Sequence, residues 1–143
     1  MADQVYFEDV EVGAEIPSLV KEPDSLQLVQ WAAGSGDFYQ IHYDPAFAKR
    51  NGLEGPIVHG ALKHAFLGEL LHQWVAPGGR IKRVACSYRG MDLPNRRLTH
   101  KGKITKKYQE GARNIVELEI WVEDANGKTT TPGSAVVTLP SRA

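Results

Sequence analysis

Between His59 and about Val75 lies the pattern that most narrows the architecture of this chain. Leu62, Phe66, Leu70 and Trp74 recur at helical spacing on a strongly apolar surface, so this helix is expected to be largely buried. Pro77-Gly78-Gly79 ends it, and beyond Gly79 the apolar period drops to two. Val84, Cys86 and Tyr88 alternate with polar neighbours, and a loop from Asp92 to Arg97 leads into strands around Leu98 to Gln109, Asn114 to Glu123 and Lys128 to Leu139. Glu110-Gly111-Ala112 and Asn126-Gly127 supply the turns, while Pro132-Gly133 marks an expected bulge or edge feature in the last strand. A buried helix followed by four strands predicts an antiparallel β-sheet wrapped around a long central α-helix, an α+β fold. The 143 residues suit one domain, 1–143, without an internal repeat or linker.

The first half of the chain reads as short elements leading to that helix. Met1 to Gly13 is acidic, with Val5, Tyr6 and Phe7 as an anchor against the body, and Glu15 to Val20 reads as a strand. Asp24 caps a helix in which Gln27 completes a capping box and Leu26, Val29, Gln30 and Ala33 follow at helical spacing, until Gly34 and Gly36 end it. Asp44-Pro45 starts a second, short helix that Asn51-Gly52 stops. Residues 35 to 44 are therefore a short loop pinned by helices at both ends.

Charge is balanced overall but unevenly spread. Residues 1 to 24 carry seven acids against Lys21, and residues 80 to 107 carry ten bases against Asp92. Lys101, Lys103 and Lys107 share one strand face, and Glu117, Glu119 and Glu123 share a face of the next strand. Cross-strand pairing at about 0.2–1 kcal/mol per pair explains these lysines without a ligand. Ile104 and Tyr108 with Val116, Leu118, Ile120 and Val122 then form the inner face. Arg96 and Arg97, with Arg80, Lys82, Arg83 and Arg89, remain for the phosphates of an anionic partner, since a guanidinium fork matches phosphate. Neutral overall charge and the lack of a recognised module argue against nucleic acid. Lys63, His64, Glu69, His72 and Gln73 interrupt the apolar helix, which argues against a membrane span. One cysteine, Cys86, and no signal-peptide pattern point to a reducing, cytoplasmic setting.

The chemistry concentrates between Gly34 and Gly60. Asp37 and His42 stand five residues apart on a glycine-flanked loop, and a carboxylate and an imidazole aimed at one water can take its proton and return one elsewhere. Burial of Asp37 between two helices would raise its pKa, and a charged His42 would lower it. Gly60 offers a backbone amide at a helix N-terminus, suited to a developing oxyanion. Asp44 is read as a helix cap and His59 as a ring holding a loop carbonyl. A metal site from Asp37, His42, Asp44 and His59 lacks a familiar ligand spacing and is set aside.

These residues resemble the MaoC-like family, the (R)-specific enoyl-CoA hydratases and dehydratases of the hotdog fold. The family pattern, Gly-Asp-x-Asn-Pro-Ile-His-x-Asp-Pro-x-x-Ala followed by Pro-Ile-x-His-Gly, is matched by Gly36-Asp37-Phe38-Tyr39-Gln40-Ile41-His42-Tyr43-Asp44-Pro45-Ala46-Phe47-Ala48 and Pro56-Ile57-Val58-His59-Gly60. The resemblance implies a hotdog domain with an overhanging catalytic loop. It implies a hydro-lyase that reversibly adds water in syn fashion to a trans-2-enoyl-CoA, giving the (R)-3-hydroxyacyl-CoA. Asp37 and His42 would activate water, with His42 as first proton acceptor and the roles left interchangeable, and the Gly60 amide would hold the thioester oxygen. No cofactor is implied beyond the coenzyme A of the substrate.

The departures concern substrate. Tyr39-Gln40 stands where the family has Asn-Pro, and Ala65 stands where it often has serine. Lys63 and His64 stand where apolar residues are common, so His64 reads as facing the acyl pocket or as a helix-surface or dimer-interface residue. Tyr39, Gln40, His64, Arg96 and Arg97 are thus the expected substrate contacts. A free sheet edge and an uncovered apolar face agree with a homodimer or higher homo-oligomer, or with half of a heteromer. The competing functions are a non-catalytic acyl-CoA-binding subunit and a hotdog thioesterase, in which water would attack the carbonyl instead of Cβ.

Overall fold

The computed structural model describes residues 3–142; Met1, Ala2 and Ala143 lie outside it. The element order is β1 (Leu19–Lys21), α1 (Ser25–Ser35), α2 (Pro45–Arg50), α3 (Gly60–Val75), β2 (Arg80–Cys86), β3 (Leu98–Glu110), β4 (Arg113–Glu123) and β5 (Thr129–Thr138). All strand pairs are antiparallel, in the spatial order β1-β3-β4-β5-β2. The α+β expectation holds, with the sheet packed on α3.

The core follows from the two periodicities. Leu67, Leu70, Leu71 and Trp74 of α3 pack with Leu98, Val116, Leu118, Ile120, Val122 and Val137 of the sheet in one buried cluster. Each fully buried side chain of this kind contributes about 1.5–3 kcal/mol. Leu62 and Phe66, on the first turns of α3, meet Leu28 and Val58 in a second cluster, with Trp31 against it. That smaller cluster fixes α1, and hence the loop that leaves its end, over the N-terminus of α3. Val5 and Phe7 pack on the main core, and the amide of Phe7 donates to the Pro140 carbonyl at 2.9 Å.

Local signals account for most element ends. Asp24 Oδ1 accepts from the Gln27 amide at 2.8 Å, without the reciprocal bond from the Gln27 side chain, and Gly36 closes α1 at φ 79°. Asp44 Oδ1 accepts from the Phe47 amide at 3.0 Å with Pro45 at the first position of α2.

Four expectations shift. The first strand narrows to Leu19–Lys21, with Glu15 making only an isolated bridge to Lys103. On α1 the face set by Leu26 and Val29 is exposed, at 62% and 48%, and Leu28 and Ala32 are the buried pair. Thr105 is an extra residue between the Ile104↔Leu118 and Lys106↔Glu117 pairs, so alternation inverts beyond it. Lys106 therefore takes the place expected of Lys107 beside Glu117 (3.6 Å), Lys107 turns to the Val10 carbonyl and the Phe7 ring, and Tyr108 leaves the inner face to donate to Glu117. Lys101 pairs with Glu123 at 3.0 Å as the face pattern implied. Finally, β4–β5 pairing runs through Pro132-Gly133 without a bulge. Pro132 is tolerated because it lies just past the end of β2, where its carbonyl accepts from Ser87.

Candidate active site

Asp37 leaves the end of α1 on a chain that Gly36 has turned. Its amide reaches the Ser35 hydroxyl at 3.2 Å and its Oδ1 accepts from the Tyr39 amide at 3.3 Å, an Asx turn that points Oδ2 the other way. A 3-10 turn, Gln40–His42, follows, and it buries His42 against the segment before α3. There His42 Nδ1 donates to the Ile57 carbonyl at 2.7 Å. A ring that donates from Nδ1 keeps an unprotonated Nε2 in its neutral form. That Nε2 faces Asp37 Oδ2 at 3.8 Å, too long for a direct hydrogen bond and suited to sharing a water. The Asp37 side chain is 47% exposed, so the expected burial between helices does not occur.

His59 stacks beneath His42, with ring centroids 3.8 Å apart and planes 19° from parallel. Its Nε2 donates to the Asp37 carbonyl at 3.3 Å, the supporting role expected of it. Burial, and then the neighbouring His42, push the His59 pKa below the usual imidazole value, against the pull of the Asp37 carbonyl. His59 is therefore a neutral prop under the working pair. Asp37, His42 and His59 bring one ligand atom each within 4.8 Å. Stacked rings, however, send their lone pairs side by side instead of converging. The arrangement favours proton transfer over metal ligation.

Gly60 opens α3 with no hydrogen bond to its amide among the described residues, as the first turn of a helix leaves it. A Cβ here would meet three ring carbons of Tyr88 at 2.6, 2.7 and 2.8 Å, so this close approach requires glycine. His42, Ile57, Val58, Gly60 and Lys63 face Tyr88, Arg89, Gly90 and Met91 across a cleft of about 220 Å³. Base and amide donor thus share one space, with Asp37 at the side of His42.

The remaining expected contacts are dispersed. Tyr39 stands edge-on to His42 (6.3 Å) and Phe47 (5.6 Å), and Gln40 is exposed on the 3-10 turn. His64 is half-buried on α3 and does not line the cleft. Arg96 and Arg97 line a neighbouring hollow of about 290 Å³ that shares Ile57 and Met91 with the cleft, and Arg96 is ion-paired to Glu54 at 3.1 Å.

Along the opposite wall, Tyr88 to Met91, only Arg89 is a contact expected from sequence, through its place in the basic segment. Asp92 is buried and pairs with Lys63 at 2.7 Å. Two oddities pointed to this pair: a lysine within the most apolar helix, and the one acid of a basic segment.

A family model described as a MaoC-like domain matches residues 9–127. This chain belongs to the MaoC-like dehydratase family. Among relatives, the (R)-specific enoyl-CoA hydratase of Aeromonas caviae is 31% identical over 138 residues, covering 93% of this chain and 98% of that protein. The solved (R)-hydratase structure from A. caviae superimposes with a TM-score of 0.83 at 29% identity, over 93% of this chain and 99% of that one. The R-hydratase PhaJ1 of Pseudomonas aeruginosa has the same fold, with a TM-score of 0.87 at 21% identity over 97% and 88% of the two chains. The curled five-stranded sheet on a central helix is thus a hotdog-like fold. Against two larger relatives this MaoC-like chain spans only a small part. It covers 3% of a fatty acid synthase beta subunit of Cochliobolus carbonum and 10% of a peroxisomal hydratase-dehydrogenase-epimerase of Neurospora crassa.

Proposed function

We propose that the protein is an enoyl-CoA hydratase, or in reverse a 3-hydroxyacyl-CoA dehydratase, that interconverts trans-2-enoyl-CoA and (R)-3-hydroxyacyl-CoA. The observation that carries this reading is the His42 Nδ1 bond to the Ile57 carbonyl. It leaves Nε2 free as a base, 3.8 Å from Asp37 and in the same cleft as the Gly60 amide. The similarity to the A. caviae hydratase supports the same chemistry.

Asp37 and His42 hold a water between them. As its oxygen bonds to Cβ of the enoyl thioester, His42 Nε2 takes its proton, and the electron pair of the double bond moves toward the thioester oxygen. The Gly60 N–H at the positive end of α3 stabilises that enolate oxygen. The proton passes from His42 to Asp37 and on to Cα, which restores the double bond of the carbonyl and both side chains. Because water and proton arrive from the side of one Asp37–His42 pair, the addition is syn. Dehydration is the same path reversed.

Tyr39 bounds the space beside His42, and Gln40 and His64 are further candidate contacts for the acyl group. A carrier arm leaving past Met91 reaches the hollow with Arg96 and Arg97. Arg97 is exposed and without an ion-pair partner among the described residues, a suitable contact for a phosphate of coenzyme A. The working unit is proposed to be a homodimer or higher homo-oligomer.

The test is product analysis with purified protein and a panel of trans-2-enoyl-CoAs. Oxidation of the product by an (R)-specific but not an (S)-specific 3-hydroxyacyl-CoA dehydrogenase is the expected result. Release of free thiol without hydration would indicate a thioesterase instead.

A further inference from the structure

From Lys63, on the floor of the cleft, a polar cluster that takes no part in the proton path extends into the core. Lys63, Asp92 and Thr130 are 2%, 4% and 2% exposed. Lys63 Nζ donates to Asp92 Oδ2 at 2.7 Å and to the Gly90 carbonyl at 3.0 Å, and Thr130 Oγ1 donates to the same Asp92 oxygen at 2.9 Å. The backbone continues the connection. The Thr130 carbonyl accepts from the amides of Arg89 and Gly90, both at 2.9 Å, and the Asp92 carbonyl accepts from the Val58 amide at 2.8 Å.

The backbone bonds end on residues that line the cleft, Val58 on one side and Arg89 and Gly90 on the other. On one side Val58 lies between Ile57, whose carbonyl orients His42, and His59, whose ring holds the Asp37 carbonyl. On the other side Gly90 follows Tyr88 and Arg89, and the Tyr88 ring packs on the Gly60 backbone. Lys63 lies one helical turn beyond Gly60 and joins the two sides. Stability alone is a poor reason to keep such a cluster, because a buried ion pair is often matched or bettered by apolar residues of similar volume. Its reach to both walls supplies the reason that stability does not.

We infer that Lys63, with Asp92 and Thr130, acts as a positioning lock for the reaction proposed above. It holds the Ile57–Gly60 segment and the Tyr88–Met91 segment at the separation that keeps His42 and the Gly60 amide aimed at one substrate. Lys63 and Asp92 are positioning residues: they act through Val58 and Gly90, not on the reacting atoms. The inference rests on the hydratase reading, but its geometric half can be measured without turnover.

The experiment combines steady-state hydration kinetics, thermal melting and the side-chain 15N shifts of His42, which report its tautomer. Four variants are compared with wild type: Lys63→Met, Lys63→Met/Asp92→Leu, Thr130→Val and Lys21→Met. Lys21 forms a partly exposed ion pair with Glu69 on the same helix, away from the cleft, and controls for loss of an ion pair as such. Misplacing reacting groups by about 1 Å costs on the order of 100-fold in rate, so Lys63→Met is expected to lose about 10- to 100-fold in kcat with KM changed less than about threefold. The double variant is expected to recover stability but not kcat. Thr130→Val, a near-isosteric change that leaves the ion pair in place, is expected to lose severalfold in kcat and shift the His42 signals, whereas Lys21→Met does neither.

If kcat returns with stability in the double variant, or if Thr130→Val leaves both kcat and the His42 shifts at wild-type values, the lock is refuted and the cluster is merely structural. Should Lys63→Met not fold, the double variant and Thr130→Val decide the matter. Absence of hydration by wild type would refute the hydratase reading. The His42 shifts of Thr130→Val against Lys21→Met would then still decide whether the cluster orients that ring.

Discussion

His42 owes its usefulness as a base to a backbone carbonyl. The 2.7 Å bond from Nδ1 to Ile57 fixes both the plane of the ring and the nitrogen that carries the proton, and the stacked His59 leaves it no room to rotate. Gly60 is as narrowly defined, by the Tyr88 ring against it. Gly60→Ala is expected to force the two apart and to lower kcat by about 100- to 1,000-fold, in line with the loss of an oxyanion donor. Adding Tyr88→Ala should restore part of it if the methyl clash is the cause, and steady-state kinetics on both variants check this. His100 sets a different property. It is wholly buried, donating from Nδ1 to the Leu19 carbonyl at 3.1 Å, and burial pushes its pKa from 6.5 down to about 4. The unfolded chain takes up a proton below pH 6.5 that the folded chain refuses until about pH 4, so stability present above 6.5 is lost as pH falls through that window. The loss approaches about 3 kcal/mol at about 1.4 kcal/mol per pH unit. Melting curves across this window should show a distinctly shallower acid slope for His100→Leu than for wild type.

At the level of elements, the small cluster of Leu28, Leu62, Val58 and Phe66 is what brings a loop at the end of α1 to the start of α3. Leu28→Ala is expected to cost about 2–4 kcal/mol and to lower kcat as well, because Asp37 hangs from the end of α1. A Leu70→Ala change of similar cost in the main core should leave kcat nearly intact, and denaturant titration beside kinetics separates the two. The ends of α1 and the start of α2 are legible from sequence because they rest on signals within three or four residues: Asp24, Gly36, Asp44 and Pro45 all act as read. The motif likewise singles out Asp37, His42 and Gly60, which the fold brings together around one cleft. What sequence did not give depends on distant partners. The bulge at Thr105 inverts the end of β3 with no glycine or proline to announce it, so Lys107 and Tyr108 were assigned to the wrong faces. The buried face of α1 is chosen by α3 and Val58, not by the spacing of Leu26 and Val29. Lys63 and Asp92 meet across 29 positions, so the oddity of each is visible in the sequence but their pairing is not.

For the molecule as a whole, β1 and β2 are the two sheet edges, and the outer edge of the seven-residue β2 pairs with no strand among the described residues. Leu26, Val29, Phe38, Tyr39, Tyr43, Tyr88 and Met91 are exposed in the single chain, several of them around the proposed site. Light scattering of the purified protein is expected to give at least twice the 15.8 kDa of one chain, and an active 15.8 kDa species would refute the homo-oligomer. The proposed chemistry takes place within each site, and hydration of a trans-2-enoyl-CoA there is read as loss of the conjugated-thioester absorbance. Wild type should hydrate at least one chain length, and Asp37→Asn and His42→Ala, folded as judged by melting, should each lose about 100- to 10,000-fold in kcat. Full activity in both variants, or no hydration of any enoyl-CoA by wild type, would contradict the assignment of Asp37 and His42 to the water.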